Sequence, residues 1–221
     1  MSKYENILFD LDGTITDSAN GIINGVIYGI KKVNEIYNLN IEMPSKEILK
    51  RFIGPPLDIS FMKYCRNDEN LANEFIKYYR EDYNGNNGLF NCKLYEGIFD
   101  LIKNLHDKNF NLFVATAKPK ESAIRIIEYF NLNTFFKNIY APILGEKTKN
   151  KTDVLIEALS KEKFDKSKTI MIGDRIDDIE GAKTVSIDSI AVRYGFGNDE
   201  EFENATYIVD DAKSIFDILI K

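Results

Sequence analysis

The sequence contains few cysteines and no long apolar run. Only two cysteines occur in 221 residues, Cys65 and Cys92, and their separation matches no metal-binding spacing. We therefore expect two reduced thiols in a cytoplasmic protein, and neither a disulfide nor a zinc site. No apolar run reaches the roughly 18 residues that a membrane helix needs, so no membrane partner is predicted.

Histidine is also scarce, and acidic residues outnumber basic ones. The chain has 29 Lys and Arg against 35 Asp and Glu, which gives a formal net charge of −6 and argues against a nucleic-acid partner. The single histidine, His106, lies in a helical segment away from the predicted strand ends, and we expect it at the surface. With 44% hydrophobic residues, the chain can form a real hydrophobic core without a structural metal.

Strand and helix patterns alternate through the second half of the chain. Strands are predicted at Asn6–Phe9, Phe110–Thr116, Asn138–Ile143, Thr169–Ile172, Ser189–Val192 and Tyr207–Val209, with helical segments between most of them. This alternation predicts an α/β fold, in which a parallel sheet carries helices on both faces.

The stretch between the first two of these strands is far longer than a crossover between neighbouring parallel strands requires. Most of it is helical in pattern, so we predict an inserted all-helical domain at residues 17–89 and a core formed by residues 1–16 and 90–221. Its first helix is expected to be capped by Asp17 or Ser18, and its last to end in a loop at Asn84–Gly88.

Polar residues follow the strong strands directly, where open α/β sheets bind ligands. The residues at these strand ends, most of them polar, are Asp10, Asp12, Gly13, Thr14, Thr116, Ala117, Lys118, Gly173, Asp174, Asp177 and Asp178. Carboxylates crowded at one place need a cation to stay ionised, and an all-oxygen ligand set without histidine or paired cysteine favours Mg²⁺. The sequence therefore predicts a magnesium site that also binds a substrate phosphate.

Two aspartates that follow a buried strand suggest a mechanism. An aspartate such as Asp10 can attack phosphorus and form an aspartyl-phosphate, while Asp12 can protonate the leaving alcohol and later deprotonate water. Each feature alone also has an ordinary structural explanation. Asp12-Gly13 is a common turn, and Asp174 could cap a helix. Thr116 could be a cap before Pro119, and Lys151 could be a solvated helix residue. Their shared position at strand ends and helix starts favours a functional site.

These motifs resemble those of the haloacid dehalogenase-like superfamily of phosphohydrolases, in particular its phosphoglycolate phosphatase-like branch. The first motif is Asp10-Leu11-Asp12-Gly13-Thr14, and the second is Thr116, followed by Ala117-Lys118-Pro119. The third is a lysine that opens a helix, best matched by Lys151, although Lys147 and Lys149 are close. The fourth runs from Gly173 to Asp178.

The resemblance implies a Rossmann-like core with an inserted helical cap, and it assigns roles to residues. Asp10 would be the nucleophile and Asp12 the general acid/base, whose presence favours a phosphatase over a dehalogenase. The implied Mg²⁺ ligands are Asp10, the Asp12 carbonyl and Asp174, with Asp178 nearby. The implied phosphate-binding residues are Thr116, Ala117 and Lys151.

Four further residues are candidates for substrate selection, namely Arg51, Gly54, Lys118 and Arg175. Gly54 and Arg51 could instead form a structural turn, and Arg175 could simply pair with an acid. Gly195-Phe196-Gly197 lacks the third glycine of a dinucleotide-binding motif and follows the wrong strand, so no dinucleotide is predicted.

The predicted function is Mg²⁺-dependent hydrolysis of a small phosphorylated metabolite by a monomer or dimer. The resemblance allows 2-phosphoglycolate or a nucleoside 5′-monophosphate as substrate. A sugar-phosphate mutase, in which the phosphoryl group passes to a sugar, and a binding module that lost catalysis are the alternatives.

Overall fold

A computed structural model of the chain describes residues 2–85, 88–144 and 149–221. The chain divides into two compact units, one formed by Met1–Asp17 together with Leu94–Lys221 and the other by Ser18–Lys93. The role of the second unit as a cap domain stays a prediction. None of the helices in the described ranges combines the length and the apolar composition that a bilayer crossing requires.

The strands of the described residues form one large sheet and one small sheet. They are β1 (Asn6–Phe9), β2 (Thr16–Asp17), β3 (Lys93–Leu94), β4 (Asn111–Ala115), β5 (Asn138–Tyr140), β6 (Thr169–Gly173), β7 (Asp188–Val192) and β8 (Tyr207–Val209). Six of them form a parallel sheet in the order β5-β4-β1-β6-β7-β8, and β2 pairs with β3. The predicted α/β fold with a Rossmann-like parallel sheet is confirmed.

The helices follow the predicted alternation. They are α1 (Ala19–Tyr37), α2 (Lys46–Lys50), α3 (Leu57–Tyr64), α4 (Glu69–Gly85), α5 (Ile98–Asp107), α6 (Lys120–Tyr129), α7 (Lys151–Glu162), α8 (Ile176–Val185) and α9 (Ala212–Leu219). Short 3₁₀ turns lie at Gly88–Phe90, Lys166–Lys168 and Asp199–Phe202.

The core of the first unit lies on both faces of the large sheet. Leu8 of β1 and Met171 of β6 are fully buried in a cluster with α7 and α8. Successive strand residues point to opposite faces, and the intervening residues Ile7, Phe9 and Ile172 are also fully buried. Both faces of the central strands are therefore covered, and the carboxyl ends of β1, β4 and β6 are the edge at which polar residues collect.

In the second unit, α1 packs closely against α4 along a stripe of glycines. A Cβ atom at Gly29 would lie 2.9 Å from the Phe75 carbonyl oxygen, and one at Gly25 would lie 2.9 Å from the Tyr79 ring. The four-residue glycine spacing in α1 therefore marks a close helix–helix contact within the second unit.

Two local predictions were wrong, and one helix was not predicted. Asn84 and Gly85 are helical, because α4 buries Tyr83 in its last turn and this packing outweighs the weak helix propensity of Asn-Gly; Asn86 and Asn87 lie outside the described residues. The strand predicted to reach Ile143 ends at Tyr140, shortly before Pro142, which has no N–H for a sheet. Helix α3, which begins directly after Pro56 at its N-cap position, was not predicted from the sequence.

Candidate active site

The first strand delivers two aspartates to the edge of the sheet. Asp10 continues the ladder beyond β1, since its N–H donates a 2.9 Å hydrogen bond to the Ile172 carbonyl. A tight turn follows, in which Gly13 adopts a φ of +91°, a conformation that favours glycine. The Asp10 and Asp12 residues are 5% and 8% exposed, so two carboxylates are buried within three positions.

Lys151 lies at the start of α7 with its ammonium group inside this cluster. Its Nζ is 2.7 Å from Oδ1 of Asp10 and 2.8 Å from Oδ1 of Asp178. It also donates a 2.8 Å hydrogen bond to the Ala115 carbonyl at the end of β4. The side chain of Asn150 and the carboxylate of Asp153 form a reciprocal cap on the helix start, which fixes the backbone from which Lys151 extends.

The segment after β4 contributes a second buried lysine. Lys118 Nζ lies 2.8 Å from Oδ2 of Asp12, and the Lys118 N–H donates a 3.2 Å hydrogen bond to the Thr116 hydroxyl. Thr116 is buried, whereas Ala117 between them is partly exposed. Thr116 and Ala117, two of the three residues predicted to bind phosphate, therefore lie on the same turn as the lysine that pairs with Asp12.

Asp174, after β6, is enclosed by backbone. The Phe196 N–H donates to its Oδ2 at 2.8 Å, and the Thr14 hydroxyl donates to its Oδ1 at 3.2 Å. A Cβ atom at Gly13 would lie 2.1 Å from Oδ2 of Asp174, and one at Gly195 would lie 2.2 Å from its Cβ. Only residues without a side chain fit at these two positions, so the glycines allow the carboxylate to sit between two loops.

Asp178 organises the loop between β6 and α8. Its Oδ2 accepts hydrogen bonds of 3.1 Å from the N–H groups of Asp174 and Arg175, while its Oδ1 faces Lys151. Both carboxylate oxygens are thus engaged by the protein. Asp178 therefore holds the loop and Lys151 in place, and its carboxylate also belongs to the buried acidic cluster that could hold a metal ion.

Burial dominates the electrostatics of the cluster. It raises the pKa of Asp10 above its usual value despite the opposing charge of Lys151, and it raises that of Asp174 well above its usual value, with Asp178 and Asp10 adding to the shift. Burial alone would lower the pKa of Lys151, but the charges of Asp10 and Asp178 outweigh it and raise the pKa. Lys151 faces two carboxylates, whereas Asp10 and Asp178 share this one lysine.

The donor set fits a magnesium ion. Asp10, Asp174 and Asp178 each place one carboxylate oxygen so that the three atoms lie within 4.8 Å of one another. These three buried carboxylates share one buried ammonium group, that of Lys151, which pairs with Asp10 and Asp178 and leaves an excess of two negative charges when all three are ionised. An all-oxygen cluster with this excess charge suits a hard divalent cation.

Among the remaining candidates, Arg175 and Lys149 pair with acids. Arg175 Nε is 2.9 Å from Oε2 of Glu201, as expected if it pairs with an acid. Lys149 pairs with Glu157 at 2.6 Å, and Lys147 lies outside the described residues. Arg51 ends α2, and Gly54 adopts a φ of +103°; both belong to the second unit, and their part in substrate selection stays a prediction.

Sequence analysis missed two residues that shape the site, Phe196 and Tyr194, and the contact that Thr14 makes with Asp174. Thr14 and Phe196 hold Asp174, and the Tyr194 hydroxyl donates a 3.1 Å hydrogen bond to the Thr14 carbonyl. The sequence signal that could have revealed these contacts was the pair of glycines in Gly195-Phe196-Gly197. It was set aside as an incomplete dinucleotide motif, whereas its glycines in fact allow backbone to approach Asp174.

The chain is similar to a described family and to named proteins. The family described as haloacid dehalogenase-like hydrolase matches residues 7–192. A 5′-nucleotidase of Pseudomonas aeruginosa is 36% identical over 199 residues, which cover 90% of this chain and 87% of that protein. The tyrosine-protein kinase PtkA of Mycobacterium tuberculosis is 30% identical over 210 residues, which cover 95% of this chain and 69% of that protein.

A solved structure resembles the whole chain. The crystal structure of a predicted phosphatase from Clostridium acetobutylicum superposes with a TM-score of 0.88 at 40% sequence identity and covers 99% of each chain. The likeness therefore includes both compact units as well as the strand ends that carry the polar cluster.

Proposed function

The chain belongs to the haloacid dehalogenase-like hydrolases, and on that premise we propose that it hydrolyses a small phosphate monoester through an aspartyl-phosphate on Asp10, with Mg²⁺ as cofactor. That it is a phosphatase follows from the family and its relatives. The observation that carries the finer proposal is the buried pairing of Asp10 with Lys151 at 2.7 Å, beside the carboxylates of Asp174 and Asp178.

In the first step, a carboxylate oxygen of Asp10 attacks phosphorus and the bond between phosphorus and the leaving oxygen breaks. Protonated Asp12 donates its proton to that oxygen, so the product leaves as a neutral alcohol. In the second step, Asp12 takes a proton from water, the water oxygen bonds to phosphorus, and the bond to Asp10 breaks. Both steps balance in atoms and charge, and they return Asp10 and Asp12 to their starting states.

The other residues bind and orient the phosphoryl group. Thr116, the Ala117 N–H and Lys151 would contact its oxygens, and the positive charge of Lys151 lies next to the attacking carboxylate. The carboxylates of Asp10 and Asp174 and the Asp12 carbonyl would hold Mg²⁺, which supplies charge neutralisation for the phosphoryl oxygens.

For the substrate class, we place nucleoside 5′-monophosphates before 2-phosphoglycolate. The first is supported by the relative named 5′-nucleotidase, with which the chain shares most of its length. The second is supported by the resemblance of the motifs to the phosphoglycolate phosphatase-like branch. Both are small monoesters that the same two-step chemistry would hydrolyse.

The test is phosphate release from AMP, UMP, 2-phosphoglycolate and glucose phosphates, with Mg²⁺ and after its removal by EDTA. We expect release that requires Mg²⁺ and falls roughly 10³-fold or more in Asp10→Asn. Asp177→Asn is the matched control, because it removes an exposed carboxylate from the same sheet edge. Full turnover by Asp10→Asn would contradict the proposal. Isomerised sugar phosphate without free phosphate would identify a mutase.

A further inference from the structure

Lys118 forms a buried ion pair with Oδ2 of Asp12. Its Nζ lies 2.8 Å from Oδ2, and the Lys118 and Asp12 side chains are 5% and 11% exposed. The second oxygen, Oδ1, is buried and accepts no hydrogen bond from the described residues. Lys118 therefore holds the carboxylate at Oδ2, and Oδ1 has no hydrogen-bond donor among the described residues.

The turn that carries Lys118 is fixed at both of its ends. On one side, the Lys118 N–H donates to the Thr116 hydroxyl at 3.2 Å. On the other side, Pro119 restricts the backbone at the start of α6, and the Lys120 N–H donates a 2.8 Å hydrogen bond to the Pro142 carbonyl. A lysine side chain is intrinsically flexible, but this one extends from a fixed backbone into a buried position.

We propose that Lys118 is a positioning residue that orients Asp12 for proton transfer and does not select the substrate. By engaging Oδ2, it fixes the plane of the carboxylate and leaves Oδ1 as the oxygen that donates the proton to the leaving group and later accepts one from water. This inference rests on the proposed acid/base role of Asp12. It extends that role by naming which oxygen reacts and what holds the other.

The burial of Lys118 argues against the alternative role in substrate recognition. An ammonium group with a carboxylate partner at 2.8 Å gains little from a second anion, and a substrate contact would have to compete with that ion pair. The two buried lysines have different partners, since Lys151 faces Asp10 and Lys118 faces Asp12. The positive charges are thus divided between the attacking aspartate and the one that transfers protons.

The test is a double-mutant cycle of Lys118→Met and Asp12→Asn, measured with Mg²⁺ on AMP and on p-nitrophenyl phosphate. We expect Lys118→Met to lower kcat for AMP about 100-fold, with KM changed by less than about threefold. The loss in kcat/KM should be smaller with p-nitrophenyl phosphate than with AMP. The parameter kcat/KM includes departure of the leaving group, and nitrophenolate needs little protonation. In the Asp12→Asn background, Lys118→Met should cost no more than about twofold.

Two further variants separate positioning from folding. Lys118→Arg keeps the charge and should recover part of the lost kcat, whereas Lys120→Met, two positions on, should leave activity unchanged. Lys118→Met leaves a buried carboxylate unpaired, while the double variant with Asp12→Asn does not. Thermal unfolding of the double variant therefore shows whether the cycle is measured on folded protein.

The outcomes distinguish this inference from the proposed function. A raised KM with unchanged kcat in Lys118→Met, or a full additional loss in the Asp12→Asn background, would overturn it in favour of a substrate contact. If Asp12→Asn is slow and Lys118→Met is not, the positioning role alone fails. If Asp12→Asn is as fast as wild type, the acid/base role of Asp12 fails, and the inference fails with it.

Discussion

The Phe196 N–H donates a 2.8 Å hydrogen bond to Oδ2 of Asp174, 22 positions earlier in the chain. The Thr14 hydroxyl holds the other oxygen, and Tyr194 in turn holds the Thr14 carbonyl. The loops after β1, β6 and β7 are thereby connected through a single carboxylate. The orientation of Asp174, a proposed Mg²⁺ ligand, depends on backbone that lies far away in sequence.

We predict that Gly195→Ala weakens Mg²⁺ binding. The new Cβ would lie 2.2 Å from the Asp174 Cβ and 2.5 Å from the Gly13 carbonyl oxygen, so one of the two loops must shift. The expected result is a loss of roughly 10-fold or more in Mg²⁺ affinity by calorimetric titration of the protein without substrate. Gly85→Ala is the control, because within the described residues no atom outside its own helix and its chain neighbours lies within 4 Å of its Cβ position. Unchanged affinity in Gly195→Ala would separate this loop from the metal site.

We predict that Lys151→Met destabilises the protein strongly. It leaves the buried carboxylates of Asp10 and Asp178 without their shared cation, and breaking a buried ion pair costs about 3–5 kcal/mol. Urea unfolding measures the change in the free energy of unfolding. The control is Lys161→Met in the same helix, whose ion pair with Glu157 is at the surface and should contribute less than about 1 kcal/mol. Equal stability of the two variants would contradict the account.

We predict a pH-dependent contribution of Asp188 to stability. Burial alone would raise the pKa of this carboxyl, but hydrogen bonds from Lys3 and Tyr4 outweigh it and lower the pKa below 3.8. A lowered folded-state pKa stabilises the protein above the ordinary value, and this stability is lost as pH falls through the folded-state pKa.

Asp188→Asn should therefore lower the free energy of unfolding by about 1 kcal/mol at pH 7, and the difference from wild type should shrink below about pH 4. Urea unfolding across this pH range is the measurement. Asp217→Asn, which removes an exposed carboxylate, should leave the pH profile unchanged. A deficit for Asp188→Asn that persists in acid would show that the charge of Asp188 is not the cause.

Local patterns were sufficient to predict the sheet and the positions of the polar cluster. The apolar run before Asp10 is buried on both faces, and that pattern predicts a central parallel strand whose carboxyl end meets those of β4 and β6. Because parallel strands end at one edge, the proximity of Asp10, Lys151 and Asp174 follows from topology once the strands are known.

The pairings within the cluster could not be predicted in the same way. Nothing in the sequence near Lys118 indicates that its side chain turns inward to Asp12, because the choice depends on burial and on competing cations. The role of Gly195 depends on which atoms face it, and these come from segments far away in sequence. Likewise, helix α4 extends to Gly85 because of packing, although Asn-Gly locally favours a turn.

The most direct test of the account is to trap the covalent intermediate on Asp10. The protein would be mixed with AMP and Mg²⁺, quenched in acid at short times, digested with a protease that works in acid, and analysed by mass spectrometry. Asp12→Asn would be measured in parallel, because loss of the general base should slow breakdown of the intermediate. We predict a phosphoryl group on Asp10, which is absent from Asp10→Asn. Steady phosphate release with no phosphoryl group on Asp10 at any quench time would contradict the account.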